Sequence, residues 1–119
     1  MSLAFQCIIV HYGAPELTRA CVESLARATG GGVALVRAVV VCNTGEAEAR
    51  ALAQSLAQPL AADHPGPAVA CWDAPRRDEA AVLVLCTGGN RGFAAACNVG
   101  LQEAARTGAA FAWLLNNDA

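Results

Sequence analysis

Residues 33–45 read Val33-Ala34-Leu35-Val36-Arg37-Ala38-Val39-Val40-Val41-Cys42-Asn43-Thr44-Gly45, an apolar run closed by a polar, glycine-bearing turn. Half of its first ten residues are Val, whose β-branched side chain suits a pleated strand. No apolar/polar alternation runs through it. A strand with one face in water alternates, whereas a strand covered on both faces does not, and such strands belong to parallel sheets. The same signature recurs at Leu3–Val10, Val82–Cys86 and Phe111–Leu115.

Helical segments fill the gaps between these runs. Pro15 suits the first helical position and Glu16 the positive end of the helix dipole. Leu17, Cys21, Ser24, Leu25 and Ala28 follow at helical spacing until Gly30-Gly31-Gly32. Residues Glu46–Gln58 are strong helix formers ended by Pro59. Phe93–Thr107 sets Phe93, Cys97, Leu101 and Ala104 on one face, with Gly108 as its C-terminal cap. Phe93, which starts that apolar face, is expected in the core. Strand and helix in alternation, with strands apolar throughout, predict a three-layer α/β/α fold with a mainly parallel sheet. Residues 59–80 hold four Pro and are expected to be an irregular insertion, with a short strand near Val69–Trp72.

The 119 residues suffice for one modest core and no second domain. An apolar fraction of 55% against 15% charged excludes a disordered chain. No apolar stretch approaches the ~20 residues needed to span a bilayer. No secretory signal opens the sequence, so a cytoplasmic domain is expected. The formal charge is −2 and there is no Lys, which argues against a nucleic acid polymer as partner. The six Cys lack metal spacing and mostly sit inside apolar runs, so they read as small buried hydrophobes.

In an open parallel sheet, ligands bind beyond the carboxyl ends of the strands. Four polar segments end there: His11–Ala14, Cys42–Gly45, Thr87–Gly92 and Asn116–Asp118. A phosphate-binding P-loop needs a Lys that the chain lacks. No G-x-G-x-x-G follows the first strand, and no G-x-S-x-G nucleophile turn exists. Tyr12 is placed to flank a base, His11 reads as an exposed loop residue, and Gly88, Gly89 and Gly92 would let backbone approach a ligand. Asp118, supported by Asn116, is a hard oxygen ligand for Mg²⁺ or Mn²⁺ against a diphosphate.

Cys7–Asn43 and Asn90–Asp118 resemble glycosyltransferase family 2, the GT-A fold, and especially its rhamnosyltransferase-like branch. Ile9-Val10-His11-Tyr12-Gly13 is similar to that family's V-x-Y-N, and Val39–Gly45 to its VVDN-x-S. Residues 90–101, NRGFAAACNVGL, are similar to N-x-GFA-x-G-x-N-x-G, and Leu114–Asp118 to LLNPD or LLNND, a form of the D-x-D metal motif. Cys42 stands where the family has Asp, Gly13 where it has Asn, and Ala96 where it has Gly.

The resemblance implies a Rossmann-like, nucleotide-diphospho-sugar transferase-like domain that binds a UDP-, dTDP- or GDP-sugar for inverting transfer of a hexosyl or rhamnosyl group to an acceptor hydroxyl. Val10, Tyr12, Cys42 and Asn43 would line the base. Asn90, Arg91, Gly92, Asn98, Asn116 and Asn117 would bind the nucleotide sugar, and Asp118 with Asn116 the divalent metal. The general base would lie beyond Ala119, in an acceptor-binding part for a glycan or lipid-linked glycan. On that expectation residues 1–119 are the truncated donor half, inactive alone, and in the full-length protein peripheral at the inner face of the membrane. Apolar surface left uncovered would then drive self-association into a homo-oligomer. The alternative is a degenerate, non-catalytic α/β module of the same ancestry that binds a ligand or partner. A nucleotidyltransferase would require a phosphate-gripping basic first loop, which residues 11–15 do not supply.

Overall fold

Every apolar run becomes a strand in the computed structural model, which describes residues 3–27, 33–58, 66–109 and 111–116. In chain order the elements are β1 (Leu3–His11), α1 (Pro15–Arg27), β2 (Val33–Cys42), α2 (Glu46–Leu56), β3 (Val69–Cys71), β4 (Val82–Cys86), α3 (Phe93–Arg106) and β5 (Phe111–Asn116). Among the described residues the strands form one sheet, in the order β3-β4-β2-β1-β5. Every pairing is parallel. Parallel neighbours require long crossovers, and the helices supply them on both sides of the sheet.

The period-two geometry of the strands divides the core between those sides. On one side Cys7, Ile9, Val40, Cys42 and Val84 pack with Cys21, Val22 and Leu25 of α1 and Leu52 and Leu56 of α2. On the other, Ile8, Val10, Val39, Val41, Leu83 and Leu85 lie beneath Ala96, Cys97 and Ala104 of α3. The fold is therefore the expected α/β/α sandwich. The cysteines carry no bridges; burial pushes the thiols of Cys7 and Cys42 up to about 12, so both act as small apolar groups.

Two helical faces differ from expectation. In α3 Phe93 is 53% exposed, and Leu101 also reaches solvent. Its buried side is Ala96, Cys97, Gly100, Glu103 and Ala104. The reason is close approach: a Cβ on Gly100 would stand 2.3 Å from Ile8 Cγ2 and 3.3 Å from Val41 Cγ2. At Gly100 helix and sheet meet too tightly for a side chain, and the apolar residues that face inward around it, Ala96, Cys97 and Ala104, are small. In α1 the expected Leu17 and Ser24 point outward, and Thr18, Cys21, Val22 and Leu25 point in.

The insertion at 59–80 contributes an edge strand, since β3 pairs with β4 from Val69 to Cys71. Asp73, just beyond it, is bound by Arg50 of α2 at 2.7 Å, and the Arg50 guanidinium stacks 4.6 Å from the Trp72 ring. At the opposite edge β5 leaves Phe111, Trp113 and Leu114 exposed. No helix among the described residues is long and apolar enough to cross a membrane.

One polar group lies deep between α3 and the sheet. Glu103, 6% exposed, accepts from Arg37 Nη2 at 2.9 Å, Arg77 Nη2 at 2.7 Å and Arg106 Nη2 at 2.6 Å. A carboxylate out of water is costly unless it is paired and hydrogen-bonded, and three guanidinium groups meet that condition. Hydrogen bonds from Arg106 and Arg37 hold its pKa down to about 2.

Two measurements check these contacts. Gly100→Ala gains helix propensity of about 1 kcal/mol, but forcing apart a packed contact costs about 1–3 kcal/mol. We expect net destabilisation, seen as a lower urea midpoint at unchanged slope. The Glu103 pKa is depressed on folding, so its charge stabilises the fold fully above the unfolded value of about 4.5 and progressively less as pH falls toward 2. A Glu103→Gln variant should show a shallower loss of stability across that window in acid titrations followed by circular dichroism.

Candidate functional site

The carboxyl ends of β1, β2 and β4 all empty onto one edge, and main-chain bonds lace them together. Asn43 N–H donates to His11 O at 2.9 Å and Thr87 N–H to Cys42 O at 3.0 Å. Above them opens a cleft of about 400 Å³ lined by Tyr12 and Gly13 after β1, by Asn43, Thr44 and Gly45 after β2, by Glu48 of α2, and by Gly89 and Asn90 after β4. Its volume lies in the range of small-molecule sites.

Asn43 sets the shape of that cleft. It is buried, and its Nδ2 donates to Asn90 Oδ1 at 3.1 Å and to Gly92 O at 3.3 Å. Its Oδ1 accepts from Arg91 N–H at 3.0 Å and lies 3.0 Å from the Thr87 hydroxyl. An amide offers two donors and two lone pairs. Holding the turn therefore consumes both donors and leaves at most one lone pair for anything else.

Asn90 completes the turn by accepting from Gly92 N–H at 3.1 Å, which leaves its own Nδ2 directed to neither. Gly92 sits at φ 87°, ψ 156°, a conformation closed to residues with a side chain, and it delivers the chain into α3. The first turn of α3 has no side-chain cap, and it lacks the acidic residues that α1 and α2 carry there, Glu16 and Glu46. Its amides thus keep the partial positive charge of a helix N-terminus.

The expected site residues separate into those that meet the cleft and those that do not. Tyr12, 60% exposed, Asn43 and Asn90 line it. Arg91 is exposed beside it, with Nε donating to Thr87 O at 2.7 Å, and Gly92 contributes backbone. Val10 and Cys42 do not reach it. Val10 packs under α3, and Cys42 is fully buried on the α1/α2 side because β2 alternates at its end. Asn98 is exposed along α3 and lines no part of the cleft. Asn116, exposed at the end of β5, pairs in register with Val10. Asn117 and Asp118 lie outside the described residues.

His11 departs from its expected exposure. It is 4% exposed, bonded through Nδ1 to the Thr18 hydroxyl at 2.5 Å, and burial lowers its pKa while Glu48 partly opposes that shift. It fastens α1 to β1 beneath the cleft. Four lining residues were not anticipated as individual contacts: Gly13, Thr44, Gly45 and Glu48. Thr44 is buried, and its Oγ1 has no hydrogen-bond partner. Glu48 sits in the first turn of α2, where an acidic residue reads equally as a helix-dipole partner. Only its position relative to the strand end, visible once the chain is folded, distinguishes the two.

The lining has one carboxylate, one phenol ring, amides, a hydroxyl and glycine backbone, and no guanidinium. Such a surface accepts hydrogen bonds from a planar, donor-bearing ligand and leaves anionic groups to the α3 N-terminus. Among the described residues no cluster of three or more His, Cys, Asp or Glu is arranged for a metal ion. A scan against family models found no match, and neither did searches of curated proteins and of solved structures.

Replacing Asn43 by Ala removes the acceptor of the Arg91 amide and the donor to Asn90 Oδ1 and Gly92 O. Each such hydrogen bond contributes about 0.5–1.5 kcal/mol. Asn43→Ala should therefore lower stability by about 2 kcal/mol and accelerate hydrogen exchange at the Arg91 and Gly92 amides more than at the β1 amides.

Proposed function

We propose that the chain is the donor-binding part of a glycosyltransferase of family 2 type, with the cleft taking the nucleoside end of a nucleotide-diphosphate sugar. The observation that carries this is convergence. Three segments distant in sequence, Tyr12–Gly13, Asn43–Gly45 and Gly89–Asn90, each similar to a motif of that family or adjoining one, line a single cleft at the carboxyl edge of a parallel sheet. In this reading Tyr12 flanks the base, and the exposed Glu48 carboxylate accepts from its N–H donors. The diphosphate approaches the first turn of α3, where no acidic side chain repels it.

A divalent ion, Mg²⁺ or Mn²⁺, would be held from the end of β5. Asn116 is a weak oxygen donor by itself, so the ion depends on Asp118 beyond it. When bound, the ion would neutralise charge on the departing nucleoside diphosphate. The exposed apolar residues of β5 would be covered by the acceptor-binding part, in a cytoplasmic enzyme at the inner membrane face.

A second reading is favoured by Cys42. The residue at the position of the family's base-contacting Asp is buried on the far side of the strand, which suits a non-catalytic module of the same ancestry. Titration separates the two. UDP, dTDP and GDP, each with and without Mn²⁺, are followed by calorimetry on the wild type, Tyr12→Ala and Asp118→Ala. Glycosyltransferase function predicts saturable binding of at least one nucleotide, weakened roughly tenfold by loss of the stacking ring and made metal-independent by Asp118→Ala. Heat-free mixing for all three nucleotides, with the protein folded by circular dichroism, refutes it.

A further inference from the structure

The opposite edge of the sheet carries a second cavity, of about 320 Å³, lined by Gln6, Arg37, Asp78, Arg106 and Thr107. It lies beside the buried Glu103 network but is not explained by it. Arg37 is 3% exposed, and its Nε and Nη2 are bonded to Gln6 Oε1 and Glu103 Oε1. Its Nη1 is buried and makes no hydrogen bond. Asp78 Oδ1 forms an ion pair with it at 3.8 Å, beyond hydrogen-bond range.

A buried guanidinium donor without an acceptor costs about 1–3 kcal/mol, and buried polar groups are rarely left so. The local charge account agrees. Arg37, Arg77 and Arg106 face Glu103 and Asp78, three positive groups against two negative. The C-terminal end of α3 supplies about half a further negative charge, so a positive surplus remains.

The carboxylate that partly covers the donor is not built in. Asp78 is 57% exposed; beside its 3.8 Å ion pair with Arg37 Nη1 it is hydrogen-bonded by Arg106, with Nη2 to Oδ1 at 2.6 Å and Nη1 to Oδ2 at 3.5 Å. The Asp78 and Arg106 side chains reach solvent, so Asp78 can swing away and uncover Nη1 of Arg37.

We propose that this cavity is a binding site for a small oxyanion, a phosphate or carboxylate group, that displaces Asp78 and is gripped by Arg37 Nη1 and Arg106. In the described state Asp78 stands in for the ligand: a carboxylate set on the same arginine fork that the incoming oxygens take over. Gln6 forms the floor, its Nε2 tied to the Thr107 hydroxyl at 2.6 Å. A group of the size of phosphate, bound in a fork geometry by guanidinium, matches both the cavity and its donors. The site is independent of the cleft at the carboxyl edge and stands or falls separately from it.

The test uses two exposed positions, which spares the buried core. Inorganic phosphate and, separately, acetate are titrated at constant ionic strength in sodium chloride, following the Gln6 side-chain amide by ¹⁵N NMR. The wild type should give a saturable shift with at least one anion, and the anion that binds identifies the group. Asp78→Asn removes the competing charge at constant size and should tighten binding about fivefold; Arg106→Gln should weaken it about tenfold. A linear, non-saturating response with both anions overturns the proposal. So does an Asp78→Asn protein that binds no tighter than wild type.

Discussion

A strand buried on both faces and paired in parallel cannot be joined to its neighbour by a tight turn. The chain must travel back across the sheet before it can add the next strand, and a helix is the compact way to do so. From that one constraint follow both the layering and the location of the candidate site. Every strand of the sheet points the same way, so His11, Cys42, Cys86 and Asn116 end on one edge together. The loops gathered there are the ones free to carry polar groups. The helices that begin from them aim their N–H groups at the same space.

The order of elements was readable because it rests on composition over whole segments. Val33–Cys42 shows no alternation, and it is a central strand with neighbours on both sides. Helix faces were harder to read, for a reason visible at Gly100. Periodicity weights large apolar residues, so it set Phe93 and Leu101 inward; the packing distance at Gly100 admits no side chain, and the apolar residues buried around it are Ala96, Cys97 and Ala104. Burial of the apolar residues in α3 thus follows small size near Gly100. A hydrophobicity pattern carries no information about that distance.

The site was legible as an edge and less so as a set of contacts. Tyr12 and Asn90 fall on the cleft because loop residues at a strand end are bound to lie near it. Cys42 and Val10 do not, because strand residues obey the pleat, and a position one step from the loop is committed to one face of the sheet. His11 shows the same rule: as the final β1 residue it turns inward, onto Thr18, where a loop residue would have met solvent. Position at a strand end locates the backbone near the cleft, yet it does not report which way a given side chain turns.

Asn43 shows how structure and recognition compete for the same atoms. A carboxamide that ties Asn90, Arg91 and Gly92 into one turn has almost nothing left to give a ligand. What it supplies is position: it holds the Gly89–Asn90 wall of the cleft opposite Tyr12 and keeps the α3 N-terminus open. A ligand in the cleft would instead meet groups not spent on that turn, the exposed Glu48 carboxylate and the Asn90 Nδ2. The other edge of the sheet inverts the arrangement. There Arg37 is committed to Glu103 through one nitrogen and retains another, so a residue that anchors the core still has a donor in reserve. Whether a buried polar residue can also bind is therefore a matter of counting its hydrogen-bonding atoms against the partners it already has.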